Sequence, residues 1–284
     1  MVLLWFVMGC LPEDALQEPG WSSILRDPVN PVLGPMNTSP SLIPFEGGVS
    51  GAFVDVQTTE AVRDESDTGW SWSTPVPLAD AVVSISHLEA PQGTLLFAER
   101  DDGVFRGDPG PDGVVWTDVG LADAHAPDVN RQGGAWWLAF HRDDGLYISR
   151  SDDGLLWSDP VTPVVQADPD LAWMSASVSE PALTLGPDGL WYLVFTGESE
   201  DGTTSMGAAV TGGAADPRRA VWRIHPDPLL GPRNGFESDA IREPEVLVWR
   251  DTFHIWYAGF DVDGTPSIGH AGTPWPVYTP PRDE

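Results

Sequence analysis

Short apolar runs separated by turn residues recur along the whole chain. In APDVNRQGGAWWLAF, from Ala126, apolar and polar positions alternate, a Gly-Gly step follows, and a continuous apolar run comes next. Period-two alternation puts successive side chains on opposite faces of a strand, and a Gly-, Asn- or Asp-containing step between two such runs suits a tight hairpin. The phrase recurs in SPSLIPFEGGVSGAFVDV from Ser39, EPALTLGPDGLWYLVFTG from Glu180 and EPEVLVWRDTFHIWYAGF from Glu243. A copy without the proline, AVVSISHLEAPQGTLLFAE, starts at Ala81. Copies continue through a third strand toward Trp-bearing segments: GWSWSTPVPL, GVVWTDVGL, GLLWSDPVTPVV and AVWRIHPDPLL. The stretches 100–118 and 142–159 each carry two Asp-Gly steps, at 102–103, 112–113, 144–145 and 153–154, which predict strand, turn, strand, turn, strand.

Five copies at a period of roughly 40–65 residues predict an all-β fold, a five-bladed β-propeller of four-stranded antiparallel blades spanning residues 21–284. One such sheet cannot bury both faces; packing sheets radially does so and leaves only short edges. The last copy is incomplete, because PWPVYTPPRDE is too rich in proline for a good ladder strand. GWSSILRDPVNPVL, near the N-terminus, matches the Trp-bearing fourth strand, so residues 21–33 are expected to close the ring by completing the fifth blade.

Composition narrows the chemistry. With 30 Gly and 28 Pro spread over 284 residues, long helices are not expected. A formal charge of -29 repels phosphate backbones, so no nucleic-acid partner is expected. All 14 basic residues are Arg, which removes Schiff-base lysines and the phosphate-loop lysine. The single cysteine, Cys10, excludes a disulfide framework and a Cys-based zinc site. It follows VLLWFVMG, an apolar run too short to span a bilayer. Gly9-Cys10 after such a run resembles a bacterial lipobox. The resemblance implies a signal peptide over 1–10, lipidation of Cys10 and a tether over 11–20. Leu11 in the sorting position implies an exported protein on the outer membrane or cell surface.

The x-Pro openings and the closing phrase Ser151, Asp153, Gly154, Trp157 resemble the five-bladed propellers of glycoside hydrolase families 43, 32 and 130, over roughly residues 21–275. If the residue before each proline faces the channel, strand alternation collects Ser39, Ala126, Glu180 and Glu243, and two positions on, Ser41, Asp128, Ala182 and Glu245. His125 and Arg242 sit beside them. Paired carboxyls are what glycoside hydrolysis needs: one gives a proton to the leaving oxygen, the other activates water or attacks the sugar. The resemblance implies Glu180 as the acid and Asp128 as the carboxylate that tunes it. It puts Ser39 where those hydrolases carry a base Asp; Asp55 and Asp80 are the candidates to replace that base. Glu243 joins Glu180 and Asp128 as a catalytic candidate; His125, Arg242, Glu245 and Trp173 are the substrate-binding candidates.

Aromatic faces stack on sugars, and Trp173 lies outside the repeat, in a loop linking two blades. Trp116, Trp157 and Trp222 recur at one blade position and are expected in the core. DVDG at 261–264 reads as a hairpin turn rather than a calcium loop. No H-E-x-x-H, His pair at metal spacing or G-x-S-x-G motif is present, so no metal, cofactor or serine nucleophile is expected. The Asp-Gly phrase is also similar to the Asp-box of sialidases, whose propellers have six blades. The expectation is a monomeric, carbohydrate-active propeller acting on or binding oligosaccharide or polysaccharide in its channel. The alternative is a non-catalytic surface lipoprotein that binds glycan or protein.

Overall fold

The structure, a computed structural model, describes residues 20–45, 48–58, 60–66, 76–79, 81–90, 93–101, 103–111, 113–212 and 216–279. The expectations for the signal peptide, for Cys10 and for residues 11–19 of the tether lie outside these residues, as does Asp80; Gly20, expected in the tether, opens a strand instead. Two short strands come first, β1 (Gly20–Trp21) and β2 (Leu25–Arg26). Blade I is β3 (Asn37–Phe45), β4 (Gly48–Asp55), β5 (Glu60–Ser66) and β6 (Val76–Ala79). Blade II is β7 (Ser84–Ala90), β8 (Gly93–Arg100), β9 (Gly103–Gly110) and β10 (Gly113–Ala122). Blade III has three strands, β11 (His125–Gln132), β12 (Ala135–Arg142) and β13 (Gly145–Ser151). Blade IV is β14 (Ser177–Leu185), β15 (Trp191–Glu198), β16 (Thr204–Thr211) and β17 (Trp222–Ile224). Blade V is β18 (Ala240–Trp249), β19 (Thr252–Phe260) and β20 (Pro266–Pro274), completed by β2; β21 (Tyr278–Thr279) pairs with β1.

The inner strands β3, β7, β11, β14 and β18 neighbour one another in a closed circuit, β18 returning to β3. Five apolar clusters fill the five spaces between blades. Phe53 with Trp256 belongs to the cluster joining V and I, Val54 with Leu96 to that joining I and II, and Phe97 with Trp136 to that joining II and III. Trp137 with Leu193 belongs to the cluster joining III and IV, and Tyr192 with Phe253 to that joining IV and V. Burying a side chain of this size contributes roughly 1.5–3 kcal/mol, and it comes only when adjacent blades meet. This is the five-bladed propeller that the repeats predict.

Ring closure falls where the sequence puts it. Leu25 and Arg26 pair with Gly272 and Ala271 of β20, and Leu33 bridges to Ile268. Asn30 donates its side-chain amide to the His270 carbonyl (2.8 Å) and accepts from His270 N (2.8 Å). Among the described residues after Pro274, the last of β20, the proline-rich C-terminal stretch contributes only the two residues of β21.

Two details of the repeat differ. Arg142 pairs with Gly145, so the β12–β13 turn is Asp143-Asp144 and Gly145 opens the next strand. A Cβ on Gly145, where φ is +147°, would strike the Val165 carbonyl; bare backbone there lets Leu146 exchange hydrogen bonds with Val165 O (2.8 Å) and Val164 N (2.7 Å). The Asp153-Gly154 step makes no hairpin, which is why blade III lacks its fourth strand. Ser151 Oγ accepts from Gly154 N (2.8 Å), and Asp153 Oδ1 accepts from Leu155 N (2.8 Å) and Leu156 N (2.9 Å). Side chains thus capture the backbone groups a strand would have used. Trp116, Trp157 and Trp222 pack against the inter-blade clusters but are half-buried, because they stand at the outer edge of their blades. DVDG is a turn: Asp261 Oδ1 accepts from Asp263 N and Thr265 N, both at 2.9 Å.

A buried polar chain runs behind the closing strand. His254 Nδ1 and His270 Nε2 lie 2.9 Å apart, and Asp27 Oδ2 lies 3.5 Å from His270 Nδ1. Burial, then the charge of His254, lowers the His270 pKa to about 4 despite Asp27; burial also lowers His254. The unfolded imidazole takes its proton near pH 6.5. Stability from His270 is therefore complete above that pH and is lost as pH falls through the folded value, on the order of 3 kcal/mol in all. Thermal melts from pH 7 to 4 should show this slope, and His270→Gln should flatten it. An unchanged slope in that variant would remove the assignment.

Candidate active site

The inner strands all start at one end of the channel, the front. Four of them carry, within three residues of their start, a residue–proline pair that the ladder skips, with register shifts at Thr38/Ser41, His125/Asp128, Ser179/Ala182 and Arg242/Glu245. These are β-bulges, and proline suits them because it has no N–H to give a ladder. The preceding residue lies in the left-handed region: Ser39 at φ 48°, Ala126 at 46°, Glu180 at 51° and Glu243 at 53°. Non-glycine residues held there store roughly 1–3 kcal/mol each and persist only where surrounding bonds fix them.

Those bonds come from the neighbouring blade. An inner strand is a sheet edge, and its N–H groups need partners. Ser39 and Ser41 of blade I accept from Ile85 N (2.9 Å) and His87 N (3.0 Å) of blade II. Glu99 and Ser86 of blade II accept from Ala126 N (2.9 Å) and Val129 N (3.0 Å) of blade III. Asp128 and His141 of blade III accept from Leu183 N (2.6 Å) and Glu180 N (3.3 Å) of blade IV. Glu180 accepts from Glu243 N (2.9 Å), and Glu243 accepts from Ser39 N and the Thr38 hydroxyl, closing the circuit. Each blade thus holds the next in the same rotational sense.

Asp128, Glu180, Glu243 and Glu245 line one narrow cleft at the front, with Ser39 and Ser84. Asp128 and Glu245 also line a larger rear chamber, so they form the waist between the two. Burial raises Asp128 to about 6 against its bonds to Leu183 and Ser86. Burial, then the Asp128 charge, pushes Glu245 well up. Burial, then the charge of Glu180, raises Glu243 to about 7. Glu180 Oε2 accepts from the Thr196 hydroxyl (2.7 Å) as well as from Glu243 N (2.9 Å).

The other candidates are dispersed. His125 pairs with Glu99 (3.0 Å) and lies beside His141, with ring centroids 5.5 Å apart. Arg242 is half-buried next to Glu243 and forms no ion pair or hydrogen bond among the described residues. Trp173 packs against Phe195 (5.7 Å), covers Gly197 and Gly207 where any Cβ would collide with it, and donates its indole N–H to Pro226 O (3.0 Å). Asp55 Oδ1 accepts from Gln57 N (2.8 Å) and Thr58 N (3.2 Å), which commits it to a turn rather than to the base position. Ser39 stands there instead, its hydroxyl engaged by Ile85. No group of three or more His, Cys, Asp or Glu among the described residues is placed to hold a metal.

Sequence reasoning missed Thr38, Glu99, His141 and Thr196. Their signal is a polar residue closing an apolar second strand, as in LLFAE, LAFH and LVFT, or preceding the bulge.

No protein-family model matches the chain, and no curated protein is similar to it. Solved structures are. A glycosyl hydrolase from Bacteroides ovatus superposes with a TM-score of 0.71 at 13% identity, covering 92% of this chain and 96% of that one. A structure from the family-130 mannoside phosphorylases, said to contain hydrolases targeting β-1,2 mannosidic linkages in Candida mannan, gives 0.71 at 14% identity over 96% and 98%. A thermostable family-43 glycoside hydrolase gives 0.68 at 14% over 90% and 99%. Similarity at these identities is similarity of fold.

Proposed function

We propose that this chain is an exported, carbohydrate-active propeller that receives a glycan at the front of its channel and cleaves a glycosidic bond there. The observation that carries the reading is the pair Glu180 and Glu243. They come from adjacent blades and line the same cleft, and burial together with the neighbouring Glu180 charge raises Glu243 to about 7, so that it holds a proton to give. Glu243 gives that proton to the departing glycosidic oxygen. Glu180, with its two donors, faces the positive charge that develops on the sugar ring; water adds to the anomeric carbon as its bond to the departing oxygen breaks, and the proton that water sheds passes to solvent, from which Glu243 is reprotonated. This exchanges the roles implied by sequence resemblance, in which Glu180 was the acid. The lipobox-like Gly9-Cys10 supports export and a lipid anchor at the outer membrane or cell surface.

Ser39 at the base position favours a second reading, glycan binding without cleavage, because serine does not replace a carboxylate base. One panel separates the two. Aryl glycosides and plant and microbial oligosaccharides are incubated with wild type and Glu180→Gln, following both product release and calorimetric binding. Turnover that falls in the variant supports cleavage. Binding without turnover selects the second reading, and neither binding nor turnover overturns both.

A further inference from the structure

On the rear face, between blades III and IV, an open groove is lined by Gln132, Trp137, Arg150, Leu185, Trp191 and Asp216. It adjoins the rear chamber through Gln132 and Leu185, on the opposite side of the waist from the front cleft. Its base is apolar: Trp137 and Trp191 meet edge to face, with centroids 5.6 Å apart, and both are buried. Two of its lips, Gly133 and Gly189, are turn residues with nothing within 4 Å of where a Cβ would stand, so the groove is open above them.

The polar groups converge from one side. Two guanidinium groups flank the Trp137 ring, Arg150 at 5.9 Å and Arg218 at 5.7 Å. Asp216 engages Arg218 through Nε (3.0 Å) and Nη2 (2.7 Å). Arg150 is different. Among the described residues it gives only Nη2 away, to Asp152 Oδ1 at 2.6 Å, and the two side chains are 41% and 81% exposed. An ion pair that exposed holds its partners weakly, and a planar guanidinium takes a carboxylate through two parallel bonds. The Gln132 side-chain amide, half-buried, makes no hydrogen bond among the described residues. A chain of net charge -29 does not attract small anions in general, so a saturable anion site on it must be local.

We infer that this groove is a second ligand site, for a sugar ring that carries a carboxylate, of the uronic acid class. The carboxylate meets Arg150, a ring hydroxyl meets the Gln132 amide, and the less polar ring face lies along Leu185. The site is independent of the front cleft and does not depend on cleavage occurring there.

The test is a titration of the intact protein with glucuronate, galacturonate, the corresponding neutral hexoses and benzoate, read by calorimetry and by indole N–H chemical shifts. At least one uronate should bind saturably, with its neutral hexose and benzoate at least tenfold weaker. Arg150→Gln should lose at least tenfold of that affinity, Gln132→Ala several-fold, and Glu180→Gln none. Equal binding of charged and neutral sugars, equal binding of benzoate, unchanged affinity in folded Arg150→Gln and Gln132→Ala, or loss of binding in Glu180→Gln would each overturn the site.

Discussion

Glu243→Gln should leave the propeller folded and lower turnover of a susceptible glycoside by about 10²–10⁴-fold, the usual contribution of a positioned general acid. The amide keeps an oxygen to accept from Ser39 N and the Thr38 hydroxyl, so the bond between blades V and I survives. What it lacks is a proton to give. A second readout separates this from structural damage. Wild-type Glu243 carries a raised pKa, so its contribution to stability is present below the ordinary carboxyl value and is lost as pH rises through about 7. The variant has no such charge to bury beside Glu180. Its melting temperature at pH 8 should equal or exceed that of wild type, while its activity is lowest. Wild-type activity should fall across the same pH range as the acid ionises. Turnover in the variant within threefold of wild type would end the assignment of Glu243 as the acid.

The inner strands were legible because the x-Pro pair marks a bulge, and a bulge tolerates a residue with no N–H. Even the proline-free copy at Ala81 leads into an inner strand, since its alternation survives without that mark. The missing fourth strand of blade III was not legible. Ser151 and Asp153 write the same Asp-Gly phrase as a hairpin, and only the capture of Gly154, Leu155 and Leu156 N–H groups by their side chains tells the two apart. The acidic set at the channel was found by type and face, but its bonding was not. Asp128 reaches Leu183, 55 positions away, and Glu243 reaches Ser39, 204 away. A strand pattern carries no information about which neighbouring edge a side chain will satisfy. The same bonds explain why carboxylates recur here at all: before any chemistry, they supply acceptors to the backbone of the next blade.

That dual use makes ring closure the place where a single substitution does most damage, and Arg26→Ala is expected to cost about 3–5 kcal/mol. The closing strand β2 contributes only two ladder residues. Arg26 extends that grip: Nε lies 2.7 Å from Glu237 Oε1, and Nη2 donates to Gly231 O. Glu237 is 3% exposed, and its other oxygen accepts from Tyr257 OH at 2.8 Å. Removing the guanidinium strands a carboxylate in the interior with one neutral donor, and that uncompensated charge sets the penalty more than the lost attraction does. In a domain of this size each kcal/mol shifts the melting temperature by about 2–4 °C, so a drop on the order of 10 °C is expected in thermal melts. Arg26→Met combined with Glu237→Leu should recover most of it, because the double change removes both charges. A loss below about 1 kcal/mol for Arg26→Ala, or a double variant no more stable than Arg26→Ala, would mean that the apolar contacts of Val32 and Leu33 with blade V hold the ring closed without the ion pair.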